Sequence, residues 1–215
     1  DVTILAMERG AVDFVTKPTN IIEAKGDAFR KEILGILNAV LKTERISLTE
    51  RRPAVAAVSA VQKRNASAET RFKNKIVALA CSTGGPKALQ SVIPYLPANL
   101  DAPMVLVQHM PAGFTNSMAN RLDEISKINV KEAENGEILK KGTVYIAPGG
   151  KHMEVKKCPD GSHKIVYNDM PPIGGLKPCA NITYDSLRTC GYDQVVCVVL
   201  TGMGADGTNG ILELS

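Results

Sequence analysis

Ser82, His109 and Asp206 are side chains that together could carry out acyl transfer. A serine hydroxyl is a weak nucleophile at neutral pH until an imidazole takes its proton, and a carboxylate fixes the tautomer of that imidazole and stabilises its charged form. Each of the three residues lies in a loop directly after an apolar run; the loops are residues 81–85, 108–111 and 201–207. The sequence therefore predicts a serine, histidine and aspartate site if the fold brings these loops together.

Each of these residues also has an ordinary structural interpretation. A loop serine commonly caps a helix, and a loop histidine commonly has its hydrogen bonds satisfied within the protein. Asp206 precedes a helix-like stretch, where a carboxylate would cap the helix and favour its positive end. The other two histidines, His152 and His163, fall in or beside a predicted hairpin, so His109 is the better candidate for a base.

The glycines of the third loop support a rival function. Gly202, Gly204 and Gly207 match the G-x-G-x-x-G pattern of dinucleotide-binding loops, between a strand-like and a helix-like run. That pattern normally lies in the first βαβ unit, whereas here it comes last, and the acidic ribose ligand expected about 20 residues later would fall beyond Ser215. An NAD-binding domain is therefore the alternative; the hydrolase needs no cofactor.

Cys81 supports a second rival, a cysteine hydrolase in which the thiol pairs with His109. Adjacent side chains at a strand end point to opposite sides, so one of Cys81 and Ser82 should face the core, and cysteine is the better buried of the two. We therefore expect Ser82 to be the nucleophile. The five cysteines show no CxxC pair or zinc-ligand spacing, so neither a disulfide framework nor a metal site is predicted.

The apolar pattern predicts an α/β fold. Runs at 76–80, 104–107, 144–147 and 195–200 are typical of buried parallel strands, and the last is expected at the centre of the sheet. A hairpin is predicted around a turn at 159–162. The expected architecture is a doubly wound, mostly parallel sheet with helices on both faces and an antiparallel hairpin at the edge. Two stripes at helical spacing follow the first two runs: Leu89, Val92, Ile93, Leu96 and Phe114, Met118, Leu122, Ile125.

A basic segment divides the chain into a short front part, 1–42, a linker, 43–74, and a domain, 75–215, which we expect to be truncated at its C-terminus. Between Lys42 and Lys75 there are nine Lys or Arg residues and three Glu. Because no aromatic or glycine-rich pattern accompanies them, a solvated linker is expected and nucleic-acid binding is not. In the front part, residues 11–16 predict a strand and residues 29–41 an amphipathic helix that needs a partner.

The overall composition, 44% hydrophobic and 22% charged residues, is typical of a soluble globular protein. The sequence contains no run of about 18 apolar residues and no signal-peptide pattern at its start. We therefore expect a cytoplasmic protein without direct membrane insertion.

Four segments resemble, in the same order, the protein-glutamate methylesterases of bacterial chemotaxis, the CheB family. The segments are 80–86, 108–111, 145–153 and 200–207, so the resemblance covers the chain from about Lys75 onward. Residues 10–18 and the helix after them resemble the end of a response-regulator receiver domain, which matches the two-domain plan of that family. In receiver domains the lysine at the position of Lys17 contacts the phosphorylated aspartate, whose strand would lie upstream of Asp1.

The resemblance implies a serine esterase that hydrolyses glutamate γ-methyl esters on chemoreceptor cytoplasmic helices and releases methanol; some members also deamidate receptor glutamines. Ser82 would be the nucleophile, His109 the general base and then acid, and Asp206 the residue that orients His109. Backbone amides near Thr83 and Met203 would bind the oxyanion, and His152 would shape the substrate groove.

In the same family the unphosphorylated receiver covers the active site until the chemotaxis histidine kinase phosphorylates it. The resemblance therefore implies two partners, methylated chemoreceptors and that kinase acting through a full receiver domain, and we expect a monomer. A third interpretation stays open, a noncatalytic receptor-docking module that keeps the fold while the three residues are idle. Gly150 departs from the acidic residue that many members carry, so the role of its loop stays open.

Overall fold

The structure is a computed structural model, and it describes residues 2–20, 26–42 and 73–214. Most of the predicted linker, 43–74, lies outside these residues. No helix within them is long and apolar enough to cross a membrane. The helices are α1 Val2–Glu8, α2 Asp27–Lys42, α3 Gly85–Val92, α4 Phe114–Ile125, α5 Ala180–Leu187 and α6 Thr208–Leu214, with a 3₁₀ turn at Ile93–Tyr95. The strands are β1 Lys75–Cys81, β2 Met104–Gln108, β3 Asn129–Glu132, β4 Thr143–Ile146, β5 His152–Lys157, β6 His163–Asn168 and β7 Gln194–Val199.

Five of the strands form one parallel sheet in the order β3-β4-β2-β1-β7. The other two, β5 and β6, form an antiparallel hairpin that is a separate two-stranded sheet. The predicted α/β fold with a parallel sheet and a hairpin is therefore confirmed. Strands β2, β1 and β7 are direct neighbours, so the loops that follow them leave the same edge of the sheet side by side.

The sheet is covered on both faces because its side chains alternate between two apolar cores. Leu79 of β1 and Leu106 of β2 belong to one core, which the helices α3 and α4 complete through Leu89 and Leu122. The second core contains the alternate positions of the same strands and the inner faces of α5 and the hairpin; its members include Ala78, Val105, Met153, Ile165 and Tyr184. Of the two predicted helical stripes, Leu89, Ile93, Met118 and Leu122 are buried as expected, whereas Val92 and Ile125 are exposed.

The front part of the chain packs against the α3 and α4 side of the sheet. Ile4 of α1 is buried in the first core, and Glu8 forms an ion pair with Arg121 of α4. Phe14 packs on Phe114 with ring centroids 4.6 Å apart. Residues 11–16 form no strand, so that prediction was wrong. A strand needs a partner for its backbone hydrogen bonds, and none of the described strands pairs with this segment. Phe14 packs against Phe114 of α4 instead.

Two other predictions about individual elements need correction or extension. Strand β7 exists, but within the described residues it is an edge strand, with Val196 and Val199 exposed. An apolar run alone indicates a strand and not its place in the sheet. Helix α2 forms as predicted, and its apolar face is largely exposed at Leu37 and Leu41. Strand β3 and helix α5 were not predicted.

Candidate active site

Three neighbouring strand ends place Ser82, His109 and Asp206 at one edge of the sheet. Ser82 directly follows β1, and its amide donates to the Thr201 carbonyl (2.8 Å) beyond the end of β7. His109 directly follows β2, and its amide donates to the Cys81 carbonyl (3.1 Å). The backbone pairing of the sheet thus continues into the loops, so the strands themselves set the spacing between Ser82 and His109.

His109 and Asp206 form a largely buried pair. Nε2 of His109 lies 2.8 Å from Oδ2 of Asp206, and the two side chains are 11% and 7% exposed. A carboxylate accepts a hydrogen bond and cannot donate one, so a neutral His109 in this contact carries its proton on Nε2. The lone pair of the imidazole is then on Nδ1. This nitrogen is buried and has no hydrogen-bond partner among the described residues.

Ser82 and His109 line the same small cavity, of about 110 Å³, together with Asp206 and residues 199–204. The Ser82 hydroxyl forms no hydrogen bond with His109 in this structure. Contacts between a nucleophile and its base are commonly loose without substrate and tighten when it binds. The cavity is therefore lined by a serine and by a histidine, one ring nitrogen of which has no partner among the described residues.

Asp206 is held by the amino-terminal end of helix α5. Its carboxylate accepts hydrogen bonds from the backbone amides of Ala180 (2.6 Å) and Asn181 (3.0 Å) and from the thiol of Cys179 (3.1 Å). Burial raises the pKa of Asp206, but the hydrogen bonds from His109, from the two amides and from the thiol outweigh burial and hold that pKa well below its usual range. Asp206 is therefore ionised at neutral pH, as a partner for an imidazolium must be.

Asp206 also caps a helix, as its alternative interpretation predicted, but not the helix that was expected. Asp206 caps α5, which precedes it in the chain, and not α6, which follows it. The cap of α6 comes from Asn181, whose side-chain oxygen accepts from the amides of Gly207 (3.1 Å) and Gly210 (2.9 Å). The two helices therefore cap each other, and this interlock fixes the carboxylate against His109.

The same contacts disfavour a dinucleotide site at Gly202, Gly204 and Gly207. Pyrophosphate would need free amides at the start of the helix, whereas Asn181 already occupies that of Gly207. Gly202 has a different use: a Cβ atom there would lie 2.7 Å from Cβ of Ser82. The glycine lets the loop after β7 pack directly on Ser82.

The cysteine alternative is disfavoured by burial. Cys81 is 3% exposed, and its thiol donates to the side-chain oxygen of Gln108 (3.0 Å). Burial raises the pKa of the Cys81 thiol to about 12, so the nucleophilic thiolate is scarce at neutral pH. Both residues line the cavity, but Ser82 is partly exposed whereas Cys81 is buried.

His152, which was expected to shape the substrate groove, has its hydrogen bonds satisfied inside the protein. Its side chain is fully buried, with Nδ1 accepting from the Cys179 amide (3.2 Å) and Nε2 donating to the Pro171 carbonyl (3.2 Å). No ring nitrogen is left for a ligand. His152 instead binds the amide of Cys179, and the thiol of Cys179 donates to Asp206. His152 is therefore linked to Asp206 through Cys179.

Thr83 and Met203 lie in the loops on either side of Ser82. Among the described residues, neither backbone amide donates a hydrogen bond within the protein, as an oxyanion donor requires. The Thr83 hydroxyl donates to Asp13 (2.6 Å), which brings the front part of the chain to the residue beside Ser82. Lys17 is exposed and lines a separate shallow cavity with Asp27 at the start of α2.

Sequence reasoning missed the residues that hold the site together. Asn181 and Cys179 lie at the start of α5, and Gln108 lies at the end of β2. A signal for α5 is present, since Ala180, Thr183, Tyr184 and Leu187 repeat at helical spacing and are all buried. No comparable signal marks Gln108, whose amide nitrogen donates to backbone carbonyls.

The loops after three adjacent strands thus contain a serine, a histidine and a buried aspartate, the residue types that serine hydrolases use. The family model described as CheB methylesterase matches residues 77–215. The chain therefore belongs to the CheB methylesterase family.

Similar proteins agree with this assignment. A protein-glutamate methylesterase/protein-glutamine glutaminase of Geobacillus kaustophilus is 42% identical over 99% of this chain and 59% of its own length. One of the same name from Pyrococcus horikoshii is 41% identical over 100% of this chain and 57% of its own length. The crystal structure of the Thermotoga maritima CheB methylesterase catalytic domain is 45% identical, with a TM-score of 0.63, and the match covers 66% of this chain and 74% of that one. The chain spans about three fifths of the length of these curated relatives.

Proposed function

We propose that this chain hydrolyses γ-methyl esters of glutamate on the cytoplasmic helices of chemoreceptors, releasing methanol and restoring the carboxylates during chemotactic adaptation. The proposal is supported by membership of the CheB methylesterase family and by the names of the relatives. The observation that carries it is the state of His109: Nε2 contacts Asp206, Nδ1 has no partner among the described residues, and His109 and Ser82 line one cavity.

In the proposed reaction the Ser82 oxygen attacks the ester carbonyl carbon and its proton moves to Nδ1 of His109. The imidazolium is stabilised by Asp206 through Nε2. The bond from carbon to the methoxy oxygen then breaks, and the proton on Nδ1 passes to that oxygen, so methanol leaves. Water next attacks the glutamyl ester of Ser82 while Nδ1 takes one of its protons, and the serine is regenerated with a free glutamate carboxylate.

The negative charge that forms on the carbonyl oxygen needs hydrogen-bond donors. We assign this role to the amides of Thr83 and Met203, which have no partner within the described residues. Deamidation of receptor glutamines would use the same steps with ammonia as the leaving group, in keeping with the glutaminase half of the name that the relatives carry.

We further propose that residues 1–42 are the end of a receiver domain, 43–74 a linker and 75–215 the catalytic domain. In this proposal the chemotaxis kinase acts through a full receiver, to which Lys17 would contribute, and the protein is a cytoplasmic monomer. The contacts of Asp13 with Thr83 and of Phe14 with Phe114 support a front part that restricts access to Ser82.

The test is methanol release from receptor-containing membranes methylated with labelled methyl groups. Wild-type protein should release labelled methanol, and Ser82→Ala should bind the same membranes but release none. Ser91→Ala, a change of an exposed serine on α3, is the matched control and should keep full activity. Equal binding with no release by wild type and variant alike would instead support the noncatalytic docking module.

A further inference from the structure

The side chain of Gln108 joins the two loops that carry Ser82 and His109. We propose that Gln108 is a positioning residue for acyl transfer, holding the nucleophile and the base at the spacing that the reaction needs; this inference rests on the proposed function. Gln108 is the last residue of β2 and is 2% exposed, so its amide must be satisfied by the protein.

The amide nitrogen of Gln108 makes both connections. Nε2 donates to the carbonyl of Ser82 (3.1 Å) and to the carbonyl of His109 (3.1 Å). The backbone pairing between these loops ends with the bond from the His109 amide to Cys81. Beyond that point the Gln108 side chain continues the connection between the two loops.

The orientation of the amide is fixed by its other end. Oε1 accepts from the Cys81 thiol (3.0 Å) and fills the space that a side chain on Gly85 would take, since a Cβ there would lie 2.0 Å from it. A thiol donor on one side and two carbonyl acceptors on the other suit a carboxamide, which supplies an acceptor and donors together. A carboxylate at this position would still accept from the Cys81 thiol, but it could not donate to the carbonyls of Ser82 and His109.

Removal of the amide affects the two loops unequally. The Ser82 carbonyl has a second donor, the Gly85 amide (2.7 Å), whereas the His109 carbonyl has no other donor among the described residues. A partly buried carbonyl that loses its donor is costly, so the His109 loop would shift to regain a hydrogen bond. Even a small displacement of a base from its nucleophile slows proton transfer strongly.

The experiment compares Gln108→Glu and Gln108→Met with wild type, and uses Gln194→Glu, a change of an exposed glutamine on β7, as the control. A fluorophosphonate probe reports the reactivity of Ser82 per folded molecule, and methanol release gives kcat and KM. We expect both Gln108 variants to label at least about tenfold more slowly and to lose kcat by a similar factor, with KM changed by less than about twofold. The control should match wild type.

A low pH gives a second readout of Gln108→Glu. Protonation restores one donor to the side chain, so the labelling rate relative to wild type should rise as the pH falls. Labelling of both variants at the wild-type rate, with only the melting temperature lowered, would overturn the positioning role and leave the proposed function intact. Wild-type protein that is not labelled at Ser82 would overturn the proposed function, and the positioning role with it.

If neither variant folds, hydrogen exchange in the wild-type protein tests the role of Gln108. The side-chain amide protons of Gln108 should exchange much more slowly than those of Gln90 and Gln194, because Gln108 is 2% exposed and its amide nitrogen donates to two carbonyls. Equal exchange at the three positions would overturn the proposal.

Discussion

Asp206 and Asn181 cap each other's helices. The Asp206 carboxylate accepts from the first amides of α5, including that of Asn181 itself, while the Asn181 side chain accepts from Gly207 and Gly210 at the start of α6. The carboxylate that orients His109 in the proposed mechanism is therefore held by a helix on each side, and its position depends on residues that do not touch the cavity.

Asn181→Ala should weaken this interlock. The change leaves the amides of Gly207 and Gly210 without their acceptor, and loss of a helix cap typically costs about 1 kcal/mol of unfolding free energy. Because Asp206 would also be less well fixed, kcat should fall by roughly tenfold with little change in KM. Chemical denaturation and methanol-release kinetics measure the two effects, with Asn120→Ala on the exposed face of α4 as control. A loss of stability with unchanged kcat would show that the interlock has no part in positioning Asp206.

The lowered pKa of Asp206 predicts a stability change with pH. A carboxyl group whose pKa is lower in the folded than in the unfolded protein stabilises the fold fully above its unfolded value, about 3.9, and this stabilisation is lost as the pH falls toward the folded value. Denaturation of wild type and Asp206→Asn at several pH values should therefore show a difference in unfolding free energy that is largest at neutral pH and shrinks below about pH 4. A difference that grows on acidification would contradict the assignment of Asp206 as an ionised, hydrogen-bonded carboxylate.

Asp13→Ala tests whether the front part of the chain restricts the site. The variant loses the hydrogen bond from Thr83, and one such bond of about 1 kcal/mol shifts an equilibrium by roughly fivefold. Methanol release without phosphorylation should rise by up to that factor, whereas Asp27→Ala, which changes an exposed carboxylate at the start of α2, should have no effect. Equal rates for Asp13→Ala and wild type would mean that this contact does not limit access to Ser82.

The sequence was sufficient to predict four of the five strands of the parallel sheet and the three loops, since buried strands show as continuous apolar runs and the residues after them are chemically distinctive. Cys81 also faces the core as expected, because neighbouring side chains alternate at a strand end. The place of β7 in the sheet could not be predicted, since an apolar run contains no information about neighbouring strands.

The hydrogen bonds that hold the site residues in place could not be predicted from the sequence for a different reason. Asp206 was expected to cap the helix that follows it, whereas it caps α5, 26 residues away at Ala180. Most contacts of Gln108 and His152 are with backbone groups, which every residue has, so no pattern of side chains points to these partners. Contacts of this kind depend on tertiary packing and appear only once the fold is known.

The most direct test of the account is to identify the residue that carries the acyl group during turnover. Wild-type protein mixed with a methylated receptor fragment, quenched in acid within milliseconds and digested, should yield a peptide in which Ser82 is esterified to the receptor glutamate. This adduct should accumulate less in His109→Ala, where no imidazole takes the serine proton. An adduct on Cys81, or methanol release without any adduct on Ser82, would contradict the account.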